Sequence, residues 1–478
     1  MDSLAYTIPN DAQDLGKGEV DTDHPAAHIG YSTVYLHGPP VSMVPTRDQT
    51  APRSRGKRFW VRYIHWIMLY VTLVLVILFT FKDLCNVARL VRSIFNAGHS
   101  GTVNVVDDYE LVRLPHRCAD VVAWKHINAP ADGLRGYVHI AQASVELPIS
   151  SELLYFASRG YLSNGAVEFV ASDVQDADYA GVDITFRYDD EELLDLLHIC
   201  RLHREGEQNG VGIFSPGWTH PKDYHSNVKI VVNLPPSANI KALETHLPHF
   251  SHNVGDFRNS VIFGSATLIT SDQPITAKFL SANATRLQTS NAHVSGVFNS
   301  TQSIDIITSN AAIDGEFNLY NDERLGFSRP NRMNLETSNA RINADISLAH
   351  TFANHTGGLF GVRTVTSNAK LDVKFNAAPV LSHLVYRGRT TNGQATATLH
   401  ETFEGTFTES TSRWFEAGVH VDETKEDPAG RGRRRHVSDR GTQHGHAEGK
   451  VVWGGSESQR RMSYAELTTT NAPAHLYL

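Results

Sequence analysis

Side chains able to do chemistry are spread thinly through this chain. Asp314 and Asp372 occupy equivalent places in two near-identical stretches, "TSNAAIDGEF" (308–317) and "TSNAKLDVKF" (366–375). Asn343 holds that place in the stretch between them, "TSNARINADI" (337–346). Two carboxylates facing one groove are what a glycan hydrolase or lyase needs. If the stretches stack as strands, two spacings of about 4.8 Å put these acids about 10 Å apart, just outside the range of an inverting pair. Glu316 and Asp345 add acids two places further on. Outward polar positions of a solvated sheet would carry such residues without any catalysis.

"HLPHFSH" spaces His246, His249 and His252 three apart, which suits zinc ligands on a helix, but Pro248 breaks that helix and no acid or cysteine adjoins it. "HGH" (444–446) lies in a Gly-rich loop. "RGRRR" (431–435) is a basic run that suits an anionic glycan, a lipid headgroup, a processing protease or merely solvent. Walker, Gly-x-Ser-x-Gly, Cys-x-x-Cys and calcium-nonapeptide motifs are missing. No catalytic residue, cofactor or metal is therefore expected.

The repeats explain more than the acids do. Aligned on the third residue of the bend, the copies centre on Asp272, Asn291, Asn310, Asn339, Asn368, Asn392 and Asn471. Three places on are Ile275, Val294, Ile313, Ile342, Leu371, Ala395 and Ala474. Five places on, the column is mostly small; seven places on it is mostly large, beginning with Phe279, Phe298 and Phe317. Even places are mostly polar. A period of two with columns that keep their size predicts strand, bend, strand, each copy stacked in register on the last. Asparagine suits the bend because it tolerates a left-handed backbone and can bond its equivalents in a ladder. The expected fold is mainly β: a single-stranded β-solenoid, β-helix-like, with TSNA-type repeats from about residue 266. The competing architecture is an antiparallel β-sandwich of recurrent hairpins. Spacings of 19, 19, 29, 29 and 24 residues call for inserted loops at 320–333 and 350–361.

Around the repeats, the organisation reads as follows. Residues 1–59 are polar and Gly/Pro-rich, a disordered cytosolic tail, with "YSTVYL" (31–36) as a tyrosine pair inside it. Residues 60–82 form a transmembrane helix. The nineteen residues between Arg62 and Lys82 hold no Asp, Glu, Lys or Arg, and about 28 Å of helix spans a bilayer. The basic flank of Arg53, Arg55, Lys57, Arg58 and Arg62 outweighs Lys82, Arg89 and Arg92, predicting a signal anchor with a lumenal or extracellular C-terminal region. A juxtamembrane stalk (83–135) precedes a β-rich domain (136–403) with strands at 136–147, 165–174, 181–188 and 227–235. "EELLDLLHICRL" (191–202) is helix or strand. A loop or insertion with the basic run follows (404–450), and a closing repeat ends the chain (451–478).

Asn283, Asn299 and Asn354 begin Asn-x-Ser/Thr sequons on the expected outer side. Of three cysteines, Cys118 and Cys200 are a candidate disulfide there, and Cys85 adjoins the membrane edge. A net charge of −8 gives no reason to expect nucleic acid.

The TSNA bends, "GVGIFSP", "VKIVVNLP", "EDPAGRGRRR" (426–435) and "TTNAPAHLYL" together resemble a family of basidiomycete (fungal) single-pass membrane proteins over roughly residues 55–478. Its C-terminal domain of unknown function is similar to the bacterial adhesin-type β-solenoid. The resemblance implies an adhesin-like surface protein and no particular activity. The expected function is thus a non-enzymatic, membrane-anchored glycoprotein of the surface or secretory pathway, scaffolding or adhering. Its partners would be the bilayer through 60–82 and a cell-wall or extracellular glycan or another surface protein. The alternative is a carbohydrate-active enzyme using acids such as Asp314 and Asp372.

Overall fold

A computed structural model describes residues 120–127, 137–173, 176–217, 224–321, 329–351, 356–439, 444–454 and 463–478. These lie in one compact unit, Val105–Leu478. The tail at 1–59, the span at 60–82, Cys85, Cys118, Asn354 and all of the stalk except 120–127 lie outside the described residues. Among the described residues no helix is long and apolar enough to cross a membrane.

The fold is mainly β. Across the repeats every ladder is parallel, so recurrent antiparallel hairpins are not what they form. The column three places past the bend pairs residue for residue: Ile275 with Val294, then Ile313, Ile342, Leu371, Ala395 and Ala474 in turn. All seven are fully buried. Strands before the bend pair in a second set, with Leu268, Leu287, Ile306 and Leu335 in one line. Each copy therefore contributes to both sets of parallel pairings within one continuous sheet, and the inward side chains of both share one core. Period-two patterning forces this, since a strand with one apolar face must bury it against another layer.

Size differences between columns have local causes. Phe298 and Phe317 stack with ring centroids 5.5 Å apart. A Cβ on Gly315 would lie 3.1 Å from the Phe317 ring, and one on Gly296, whose φ is +146°, would lie 2.1 Å from the Ala277 carbonyl oxygen. That is why the column five places on is small. Further along, Thr364 and Gly388 leave room filled by the buried Tyr386 ring, whose hydroxyl lies 3.3 Å from Thr364 Oγ1. In the first copy a bulge puts Leu280, rather than Phe279, opposite Phe298. Phe279 lies half-buried instead, under the Arg258 guanidinium.

Several boundaries differ from expectation. Parallel layering begins well before residue 266. Leu153–Arg159 pairs with Gln208–Phe214 and Asn239–His246, while Gly165–Ala171 pairs with Ser226–Leu234 and Phe250–Asp256. The stretch 404–450 is not a loop throughout, because it holds the strands Gly405–Ser410, Ala417–His420 and Arg435–Asp439 and most of His446–Trp453. Nor does the last copy end the stack. Ser463–Thr468 lies between His383–Arg389 and Gly405–Ser410, and Ala474–Tyr477 lies between Ala395–Thr398 and Ala417–His420. Near-equal repeats do not reveal that chain order and layer order part company.

Among the described residues, antiparallel pairing occurs only at the two ends of the stack. Tyr179–Tyr188 pairs with Ser226–Leu234 and carries His139–Pro148 on its other edge, His198–Arg204 pairs with Gln208–Phe214, and at the other end His446–Trp453 pairs with Gly405–Ser410 and carries Arg435–Asp439. "EELLDLLHICRL" divides into a short helix, Glu192–Leu196, and the strand His198–Arg204.

The substitution Gly296→Ala should cost roughly 2–4 kcal/mol in chemical denaturation, because the new Cβ meets backbone and the conformation disfavours L residues. Gly206→Ala, with a positive φ but nothing within 4 Å, should cost less than half as much.

Candidate functional site

The bends form one continuous edge. Each bend serine carbonyl accepts two N–H groups from the next copy: Ser290 O takes those of Ser309 and Asn310, and Ser309 O those of Ser338 and Asn339. On this backbone the asparagine amides form an unbroken ladder. Asn291 Nδ2 donates to Asp272 Oδ1 (2.6 Å), Asn310 to Asn291 (2.7 Å) and Asn339 to Asn310 (2.7 Å). Asn368 donates to Asn339 (2.6 Å), Asn392 to Asn368 (2.7 Å) and Asn471 to Asn392 (2.7 Å). At its head Asp272 also faces His249 at 3.5 Å.

The ladder is exposed along its whole length, and none of these asparagines has a positive φ. Tolerance of a left-handed backbone is therefore not the reason for asparagine here. Its side-chain amide is, as both donor and acceptor. From Asn291 to Asn471 each ladder residue is preceded by Ser or Thr and followed by Ala or Gly, so the strip carries no charge.

The sequence reading missed the residue two before each ladder position. Thr270, Thr289, Thr308, Thr337, Thr366, Thr390 and Thr469 are all buried. Their hydroxyls donate to carbonyls of the neighbouring copy, as Thr337 does to Ala311 O (3.1 Å), Thr366 to Ala340 O (2.9 Å) and Thr469 to Gly393 O (3.0 Å). The "T" of TSNA was visible as a repeated residue. An inward position usually reads as apolar, so its hydroxyl gave no signal.

The other candidates disperse. Asp314 and Asp372 do share a line with Asn343 between them. Asp314, however, accepts two bonds from the Arg341 guanidinium (3.2 Å each), and Asp372 pairs with Lys370 Nζ at 2.6 Å. His252 is buried, with Nε2 2.7 Å from Thr245 Oγ1; burial lowers its pKa to about 4, keeping it neutral. His246 and His249 are exposed. Among the described residues no three His, Cys, Asp or Glu side chains are placed to hold a metal. The basic run is partly structural. The Arg433 guanidinium binds Asp427 (2.9 Å) and Glu404 (3.1 Å). This pairing, with the backbone N–H groups of Ala429, Arg433 and Arg431, holds the Asp427 carboxyl far below the usual range. Arg431 and Arg434 are exposed.

Sequon residues Asn283 and Asn299 sit half-buried on strands, their Oδ1 atoms accepting bonds from Thr301 (2.9 Å) and Asn318 (2.8 Å). Cys200 is disulfide-bonded; its partner lies outside the described residues.

One buried charge is unexpected. Glu409 continues the leucine line, opposite Leu467, and is fully buried. Neither carboxylate oxygen has a hydrogen bond of normal geometry. Burial pushes its pKa up to about 7, helped by Glu416 and opposed by the Gly418 N–H.

No family model matches the chain, and no curated protein is similar to it. Among solved structures, that of a "putative cell adhesion protein" from Clostridium sporogenes aligns over 70% of this chain and 98% of its own, at 8% identity and a TM-score of 0.16. A score that low carries no argument about fold or function.

Thr337→Val should cost about 1–3 kcal/mol, because it orphans a carbonyl beside a buried side chain. Asn339→Ala removes two solvated ladder bonds and should cost roughly 0.5–1.5 kcal/mol. Denaturant titration of both variants checks the order, and the reverse order would contradict the assignment of the buried and exposed roles. Glu409 binds its proton more tightly folded than unfolded. Its contribution to stability therefore falls as pH rises from the ordinary carboxylate range to about 7, by up to ~1.4 kcal/mol per pH unit, and levels off above. Melting the wild type and Glu409→Gln across pH 5 to 8 should show that slope in the difference between them.

Proposed function

We propose that the repeats coil as a β-solenoid held outside the cytosol by a signal anchor at 60–82. On this reading the chain is a non-enzymatic surface or secretory-pathway protein, and the ladder edge is what it presents for adhesion or scaffolding. The observation that carries the reading is where the extra residues go. In the copies spaced by 29 and 24, the added length falls between Asn321 and Asn331, between His350 and Leu359, and between Ala377 and His383. None of these intervals falls at a bend, and the six rungs from Asn291 to Asn471 run uninterrupted. An unbroken row of that length suits contact with an extended partner, a glycan or another surface protein.

Two further points support it. A disulfide at Cys200 belongs to oxidising compartments such as the secretory lumen and the cell surface; Cys118 is the proposed partner. The outward acids that a polysaccharide-acting enzyme would use are already engaged by Arg341 and Lys370, which weakens that alternative.

The test is the mobility of the full-length protein in membranes before and after glycosidase, with Asn283→Gln, Asn299→Gln and Asn354→Gln combined. A glycosidase-sensitive shift that the triple variant lacks is expected. Digestion of the repeats by protease added to the cytosolic side of sealed vesicles would overturn the orientation and the reading with it.

A further inference from the structure

The ladder edge is a one-dimensional array with a fixed period. An asparagine amide has two N–H donors and an oxygen with two acceptor sites. Each rung between Asn291 and Asn392 donates one N–H to the rung before it and accepts one from the rung after it. The second donor and second acceptor site of each have no partner among the described residues, and the residues are exposed. Strand spacing sets the period at about 4.8 Å, so the six asparagine rungs extend over about 24 Å. The two backbone bonds to each serine carbonyl hold the rungs in place, so a ligand would meet an array already ordered. From Asn291 to Asn471 the rungs and their immediate neighbours are uncharged and no larger than threonine, and the nearest cations, Arg341 and Lys370, are paired with Asp314 and Asp372.

These properties select a ligand. It should be uncharged, rigid and periodic at the same spacing, and it should offer at each repeat an amide C=O with an acceptor site to spare for the second N–H of a rung. Stacked amides repeat at about 4.8 Å wherever N–H···O=C bonds join them along the stack. A sugar polymer with one acetamido group on each residue has this chemistry: where its chains pack amide on amide, the same geometry imposes the same chain-to-chain period. Cellulose has no amide, and the deacetylated polymer carries ammonium groups in its place.

We infer that the asparagine ladder is a binding strip for the packed face of a crystalline N-acetylglucosamine polymer, each rung adding a hydrogen bond to successive chains. Each contact is weak alone, and affinity comes from several rungs engaging together, so the crystalline solid should bind where short soluble oligomers do not. This rests on the proposed presentation of the ladder edge and names the class of partner.

The experiment is co-sedimentation of the detergent-solubilised full-length protein with crystalline chitin, chitosan and crystalline cellulose. Wild type is compared with Ala340→Lys, which places a long charged side chain on the strip while leaving the ladder amides in place. Asn310→Ala, which breaks the ladder at one rung, is run beside it. Melting temperatures report whether each variant is folded. Retention on chitin at least tenfold above that on chitosan and cellulose is expected, with a loss of tenfold or more in Ala340→Lys at an unchanged melting temperature. Equal retention on chitin and chitosan would overturn the amide match, as would chitin binding that a folded Ala340→Lys retains in full. Retention on cellulose alone would overturn it too, while leaving a glycan-presenting surface standing. Binding to none of the three would overturn the inference and leave the proposed function to a protein partner, which the topology test judges separately.

Discussion

Register between successive copies is the constraint on which the rest depends. A serine carbonyl that accepts two N–H groups from the next bend fixes each copy against its neighbour. A slip of one residue would turn every inward side chain to solvent. With register held, Ile275, Val294, Ile313 and their equivalents meet in one line, Phe298 meets Phe317, and each buried threonine finds a carbonyl. The exposed amides are the outer readout of the same arrangement. They contribute modestly to stability because water competes for their bonds.

Much of this was legible in the sequence. Identical residues at equivalent places gave the two-residue period, the columns and the ladder, because all three follow from similarity between copies. What differs between copies stayed hidden. Glu409 occupies a leucine line without resembling it. Leu153–Arg159 and Asn239–His246 join the stack without a TSNA bend. The insertion of the last copy between earlier strands depends on long-range pairing that no local pattern encodes.

The chemistry divides in the same way. Spacing put Asp314, Asn343 and Asp372 in one line, and that is where they lie. Their neutralisation by Arg341 and Lys370 follows from cations flanking the line, residues that the sequence showed but the period did not single out. The histidines of "HLPHFSH" were read as equivalent because they are evenly spaced. Alternation of faces separates them, sending His252 inward to Thr245 and leaving His246 outside.

Excision of one copy tests the account most directly. Asn291 and Asn310 are 19 residues apart, so deleting residues 292–310 removes one layer and rejoins the chain in register. The account predicts a folded protein that unfolds cooperatively, with near-UV circular dichroism close to wild type. Deleting 292–309 instead, one residue fewer, should abolish cooperative unfolding. Equal behaviour of the two deletions, both folded or both unfolded, would contradict register between copies as the organising constraint.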